Sequence, residues 1–298
     1  MRPRARQPAP LVRAFTEGGG QDSSSAQSGR VVVVHPGALP TDHYRELAAA
    51  LPPRTELHVV DLEQVPEYFQ AALDGGRSDL TVSGVASRAA DALRSRGLLS
   101  RPWTLVGWSF GGVVGHALTS FLSSAELPRQ IVLLDSVAPV PEYTRGNDEI
   151  GPDLVIPWFC MYLAAKRGGA VPVPRELAAG GDVDVDTLLQ AVLEAALEHG
   201  ALRPGTTLPG LRKVYDTYLD GLRRNNRLAE DFAPARARVP LTLLRPERGL
   251  LATPDPLGWE QLSDDLSVER TPGDHYSMLR EPVTAKLAAL AAVPAGHL

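Results

Sequence analysis

The chain has 298 residues, 44% hydrophobic and 22% charged, a globular composition that excludes disorder along its whole length. A net charge of -5 supplies no global positive field for a phosphate backbone, so nucleic acid is not an expected partner. The single cysteine, Cys160, cannot close an internal disulfide, and CxxC metal spacing is absent, so no metal site is expected and the chain reads as cytoplasmic.

Residues 1–30 are rich in Pro, Gly and Ser and read as a flexible linker, in which only Leu11, Val12 and Phe15 offer apolar side chains for an edge strand. No secretory leader is expected there, and no apolar run in the chain approaches the roughly twenty residues of a membrane helix, so no membrane partner is expected. Folding proper is expected over residues 31–298. The β-branched run at 31–34 predicts a strand buried on both faces, closed by the turn HPGALP. A helix over 43–51, a strand over 57–60 and a helix over 82–96 follow. In the last of these, Val82, Val85, Ala86, Ala89 and Leu93 share one face. A strand over 103–106, a helix over 111–122 and a strand over 131–134 continue the alternation, which implies right-handed crossovers and a mostly parallel α/β sheet.

From about 139 to 234 that rhythm fails. Two amphipathic segments, 186–198 and 211–222, stand among prolines and glycines with no convincing strand, which predicts a helical insertion with glycine hinges at Gly168, Gly169, Gly180 and Gly181. The alternation resumes with strands over 241–244 and 266–270 and a helix over 283–292.

Chemistry concentrates in GWSFGG. Gly107, Ser109 and Gly111 form GxSxG between a strand and a helix, the context in which a sharp turn lifts a serine hydroxyl above the sheet edge. A serine needs a base, and the base needs an orienting carboxylate. Among the seven histidines, His275 stands in a loop between the last strand and the last helix, where its ring can reach the same edge. Asp135 ends the strand next along from Ser109 and is the candidate acid, with Asp255, after the strand LTLLR, as its rival. The order Ser109, Asp135, His275 is that of α/β-hydrolases. An oxyanion at this site needs N–H donors; the backbone amides of Phe110 and Ala38 are the candidates.

These residues resemble a known family. VVVVHPG, GWSFGGVV, VLLDSVAP, YLDGLRRNNRLAEDFAP and TPGDHYSML, in this order, are similar to the thioesterase domains that end polyketide synthase and nonribosomal peptide synthetase assembly lines. The resemblance implies an α/β-hydrolase fold with a helical lid at 139–234. It implies that Ser109 takes an acyl chain from the phosphopantetheine thioester of an acyl or peptidyl carrier protein and releases it by macrocyclisation or hydrolysis. Asp135 rather than Asp255 is then the acid. No bound cofactor is implied, the phosphopantetheine arriving with the polyketide or peptide substrate, and a homodimer is compatible with the pattern. Gly115 and His116 depart from the small and bulky residues expected after GGVV. Residues 1–30 are too few to fold a carrier domain, which implies an excised terminal domain or a freestanding enzyme. The competing readings are an editing thioesterase or carboxylesterase, a Dieckmann-type cyclase and a non-catalytic binding scaffold. Trp158, Phe159, Met161 and Tyr162 are candidates for an apolar acyl channel.

Overall fold

The computed structural model describes residues 10–16, 29–75, 77, 79–144, 146–178 and 183–292. Among them seven strands form one sheet: β1 (Val12–Thr16), β2 (Arg30–His35), β3 (Glu56–Asp61), β4 (Thr104–Trp108), β5 (Ile131–Leu134), β6 (Leu241–Arg248) and β7 (Leu266–Asp274). Their spatial order is β1-β3-β2-β4-β5-β6-β7, with every neighbouring pair parallel except β1 against β3. Val31 to Val34 alternate as a doubly covered strand must: Val31 and Val33 join one apolar layer, Val32 and Val34 the other. Each is at most 1% exposed, and burial of each contributes about 1.5–3 kcal/mol as an upper bound.

The helices are α1 (Arg45–Ala50), α2 (Pro66–Ala71), α3 (Val82–Ser95), α4 (Phe110–Leu118), α5 (Pro152–Arg167), α6 (Arg175–Ala178), α7 (Val185–Glu198), α8 (Leu208–Glu230) and α9 (Val283–Ala292). Helix α3 begins where Thr81 Oγ1 accepts the Gly84 N–H and buries the expected face, Val82, Val85, Ala86, Ala89 and Leu93, beside α4. Leu47 of α1 and Leu287 of α9 pack on the opposite layer.

The structure corrects the expected segments in several places. Residues 1–30 are not linker throughout, because Val12–Thr16 pairs with β3 as the edge strand that Val12 and Phe15 allowed. The insertion between β5 and β6 holds α5 to α8, of which the sequence pattern revealed α7 and half of α8. Helix α5 has Pro157 in its interior and buries Val155, Ile156, Phe159, Cys160, Tyr162 and Leu163, a spread too wide for an amphipathic stripe. Strands β6 and β7 run four residues further than the sequence pattern marked. At Gly169 a Cβ would lie 2.8 Å from the His199 carbonyl oxygen, so this glycine seats the end of α5 against the end of α7. Gly180 and Gly181 lie outside the described residues.

Strands β2 and β4 are adjacent although β3 lies on the other side of β2, so the chain reverses direction across the sheet at this pair. The crevice beyond the carboxyl ends of strands at such a point is where open α/β sheets place their ligands. Ser109 follows β4 there.

Candidate active site

Ser109 has φ 54 and ψ -130, a backbone region costly for a side chain other than glycine, at about 1–3 kcal/mol. Close packing of glycines makes the turn feasible. A Cβ on Gly107 would lie 2.4 Å from Gly112 Cα, one on Gly111 2.1 Å from the Val34 carbonyl oxygen, and one on Gly112 2.2 Å from Ser136 Oγ. The Ser109 N–H donates to the Leu134 carbonyl at 2.9 Å, fixing the serine to the end of the neighbouring strand. Its side chain therefore stands at the head of α4, as the GxSxG pattern predicts.

Asp135 leaves β5 with φ 42, and its N–H donates to the Leu244 carbonyl at 2.9 Å. This turn carries the carboxylate, 1% exposed, to the His275 ring, whose Nδ1–H donates to Asp135 Oδ2 at 2.8 Å. That bond leaves His275 Nε2 bare in the neutral tautomer, able to accept a proton. Trp108 Nε1–H donates to the His275 carbonyl at 3.0 Å, and the rings of Trp108 and Tyr276 flank the imidazole at centroid distances of 5.4 and 4.9 Å. Asp255 is elsewhere: its carboxylate accepts from Thr253 Oγ1 at 2.6 Å and from Tyr143 OH at 3.5 Å, and is exposed. The structure thus brings Asp135, and not its rival, to His275. Among the described residues no hydrogen bond joins Ser109 Oγ to His275, but both line one cavity of about 160 Å³ with Ala38 and Trp108.

Phe110 N–H opens α4 and belongs to the amides that a helix start leaves without an internal acceptor. Ala38, with φ 70 after Gly37 at φ 96, lines the same cavity as Ser109, but its amide lies against the Glu63 carboxylate. Glu63 packs so closely on this loop that a Cβ on Gly37 would lie 2.5 Å from Glu63 Oε1. Burial, and then the Asp61 charge, hold the Glu63 carboxyl above the usual glutamate range. Sequence reading missed Glu63, and no spacing rule marks it.

Other histidines are held in the core away from this proton path. His35 Nε2–H donates to the Leu39 carbonyl at 2.8 Å while Nδ1 accepts from Tyr44 OH at 3.0 Å, and burial pushes its pKa down to about 4. Its ring stacks on Trp108 at 5.6 Å, so it buttresses the wall behind His275. His116, buried on α4, meets Trp259 edge-on at 5.4 Å, and His297 lies outside the described residues. Burial pushes the Cys160 thiol up to about 12, which leaves it unreactive inside α5.

A second cavity of about 690 Å³ adjoins Ser109 on its other side, bounded by Asp135, Tyr143, Leu154, Trp158, Leu250 and Asp255. Of the four candidate channel residues, Trp158 lines this cavity and Tyr162 the smaller one, whereas Phe159 is core and Met161 packs against that core. No helix among the described residues is long and apolar enough to cross a membrane, and no group of three or more His, Cys, Asp or Glu among them is placed to hold a metal ion.

Comparison with known proteins bears on the family and the fold. Residues 29–160 match the family model of the thioesterase domain. Among solved structures, a covalent complex of the NocB thioesterase domain with a fluorophosphonate nocardicin G analogue is 26% identical, with 89% of this chain and 93% of that chain covered and a TM-score of 0.51. RedJ, a thioesterase from the prodiginine biosynthetic pathway in Streptomyces coelicolor, is 20% identical over 90% of this chain and 86% of its own, with a TM-score of 0.55. A four-domain nonribosomal peptide synthetase is 22% identical with a TM-score of 0.62; 96% of this chain is covered, and the chain spans only 20% of that protein's length. A comparison with curated protein sequences finds no match. Residues 29–160 thus match the model of the thioesterase domain, and the chain has the α/β-hydrolase fold of the solved thioesterase domains.

Proposed function

We propose that the chain releases a polyketide or peptide acyl group from the phosphopantetheine thioester of a carrier protein through a covalent Ser109 intermediate. The observation that carries this reading is the pairing of an elbow serine with a histidine already bonded to Asp135, both opening on one cavity at the carboxyl edge of the sheet. Ser109 Oγ attacks the thioester carbonyl while His275 Nε2 takes its proton. The C–S bond then breaks, and the imidazolium returns the proton to the departing pantetheine sulfur. Asp135 holds the ring in the required tautomer and stabilises the imidazolium.

Phe110 N–H receives the tetrahedral oxyanion. Ala38 N–H joins it once the Glu63 carboxylate turns aside, because a carboxylate and an oxyanion repel at one donor. Deacylation uses the same proton path in reverse, with water or an internal hydroxyl or amine as the nucleophile. The larger cavity beside Ser109 favours cyclisation, since it offers space in which a chain can fold back on itself.

The test is intact-protein mass after incubation with an acyl-pantetheine thioester. Wild-type enzyme should gain the acyl mass and Ser109→Ala should not. Turnover that survives unchanged in Ser109→Ala would remove the covalent mechanism, and equal turnover of simple oxygen esters would favour a carboxylesterase.

A further inference from the structure

Arg245 is among the largest fully buried side chains of the protein, and nothing in the acyl-transfer chemistry above uses it. It lies within β6, directly after the Leu243–Leu244 core run, and its side chain is 1% exposed. One terminal nitrogen donates to the carbonyls of Leu251 at 3.1 Å and Thr253 at 3.0 Å, and the other donates to the carbonyl of Asp255. These three acceptors belong to one turn. The residue just before them, Leu250, donates its N–H to Asp135 Oδ2 at 3.0 Å. Gly249 approaches the same carboxylate so closely that a Cβ would lie 2.8 Å from Asp135 Oδ1.

The remaining guanidinium nitrogen, Nε–H, faces Asp135 Oδ1 at 3.5 Å. Both atoms are buried and neither makes a hydrogen bond. A buried charge needs a partner, and a buried carboxylate oxygen needs a donor. Each of these two atoms supplies what the other lacks, and a small approach closes the bond. Because the guanidinium is planar, anchoring its two ends on the 251–255 turn fixes the direction of its third donor.

We propose that Arg245 is a positioning residue for the thioester reaction: it clamps the 251–255 turn and holds Asp135 Oδ1, so that Oδ2 is presented to His275 Nδ1–H and Leu250 N–H together. The inference rests on the reading of Asp135 and His275 as the pair that handles the serine proton. Without the clamp the turn relaxes, the Leu250 amide leaves Oδ2, and the carboxylate can rotate away from the imidazole.

The experiment compares wild type, Arg245→Lys and Arg245→Met with a soluble acyl-pantetheine thioester, and follows the downfield Nδ1–H proton resonance of His275. A lysine ammonium keeps the charge but cannot span three carbonyls and the carboxylate. The expected order of kcat is wild type, then Lys about tenfold lower, then Met lower still, with KM within about twofold. The His275 resonance should move in the same order. A kcat and a resonance unchanged in Arg245→Lys would overturn the inference. Should the Met variant not fold, the Lys variant decides alone. Independently of both, the Arg245 Nε–H resonance of the wild type should shift in Asp135→Asn, and its failure to do so would equally overturn the inference. Loss of the thioesterase reading itself has a different signature, turnover in Ser109→Ala equal to that of wild type.

Discussion

Trp158, on the insertion helix α5, donates its indole N–H to the Leu250 carbonyl at 2.8 Å, and Leu250 donates its own N–H to Asp135 Oδ2 at 3.0 Å. One residue therefore ties the wall of the larger cavity to the carboxylate beneath His275. An acyl chain pressing on Trp158 acts on the same segment that holds Asp135. Trp158→Phe keeps most of the apolar surface but leaves the Leu250 carbonyl without its donor, at about 1–3 kcal/mol if no water replaces it. The expected result is a several-fold slower acylation with the far-UV circular dichroism spectrum unchanged. An acylation rate equal to wild type would show that the indole only fills space.

Asp135 and Asp255 are separable by substitution. Asp135→Asn keeps the shape but allows the His275 tautomer to flip, as loss of the carboxylate does in other triads, and should lower acylation by up to about ten-thousandfold. Among the described residues the Asp255 carboxylate bonds only Thr253 and Tyr143, at the exposed rim, so Asp255→Asn should change the rate by less than about twofold. The reverse ranking, read by burst kinetics, would move the acid to the loop after β6.

How much of this was legible in the sequence depends on how local the signal is. Ser109, Asp135 and His275 stand at strand ends, and a strand end can be read from a short β-branched run, so the sequence itself marks all three. Arg245, Glu63 and Leu250 were not. Their roles arise from contacts between the loop after β6, the turn after β3 and the edge of the elbow, which no spacing in the chain encodes. Helix α5 escaped because Pro157 and its broad apolar surface erase the 3.6-residue period. The apolar period of helix α8 stops at Leu222 because GLRRNNRLAE carries few apolar side chains, although Arg224 there is buried over the Tyr68 ring at 3.4 Å.

The glycines of GWSFGGVVG differ in what they permit. Gly111→Ala would place a methyl 2.1 Å from the Val34 carbonyl oxygen, and backbone must move, so a loss of about 1–3 kcal/mol or more is expected together with loss of acylation. Gly115 lies later in α4, where the nearest atom to an added Cβ is Leu105 Cδ2 at 3.4 Å. There the gain in helix propensity, about 1 kcal/mol, should outweigh a slight adjustment of one leucine, and Gly115→Ala should melt no lower than wild type. Thermal melts of the two variants check both claims, and equal losses would show that α4 tolerates no added carbon anywhere along it.

His116 predicts a pH dependence of stability. Burial lowers its pKa from an ordinary 6.5 to about 4, and neither ring nitrogen has a hydrogen-bond partner. Above about pH 6.5 the ring is neutral in folded and unfolded chains alike, and its contribution is complete. As pH falls toward 4 the unfolded chain binds a proton that the folded one resists, and stability drops by on the order of 3 kcal/mol. His116→Leu should therefore flatten the fall of Tm between pH 6.5 and 4.5 without lowering Tm at pH 7.5. A slope unchanged by the substitution would transfer the acid sensitivity to His35, which is depressed in the same direction by the same cause.

The two cavities meet at Ser109, Leu222, Asn225 and Leu250, and under the proposed mechanism this junction would govern the partition of the acyl-enzyme. A thioester bound at Ser109 has two arms, the pantetheine and the acyl chain, and two cavities to receive them. The larger, at about 690 Å³, falls within the range that encloses a sizeable small molecule, so it suits the acyl chain, and the smaller suits the slender pantetheine arm. Water and an internal nucleophile then compete for the carbonyl, and the curled chain wins only if it fills the cavity enough to exclude water from His275. Leu222 stands at the boundary on α8. Leu222→Trp should narrow the junction and crowd the curled chain, lowering the ratio of ring to linear acid while short acyl thioesters are still hydrolysed. Product analysis with a long acyl thioester bearing a terminal hydroxyl or amine checks this. Linear acid alone from the wild type, at the native substrate length, would defeat the cyclising reading and leave thioester release standing.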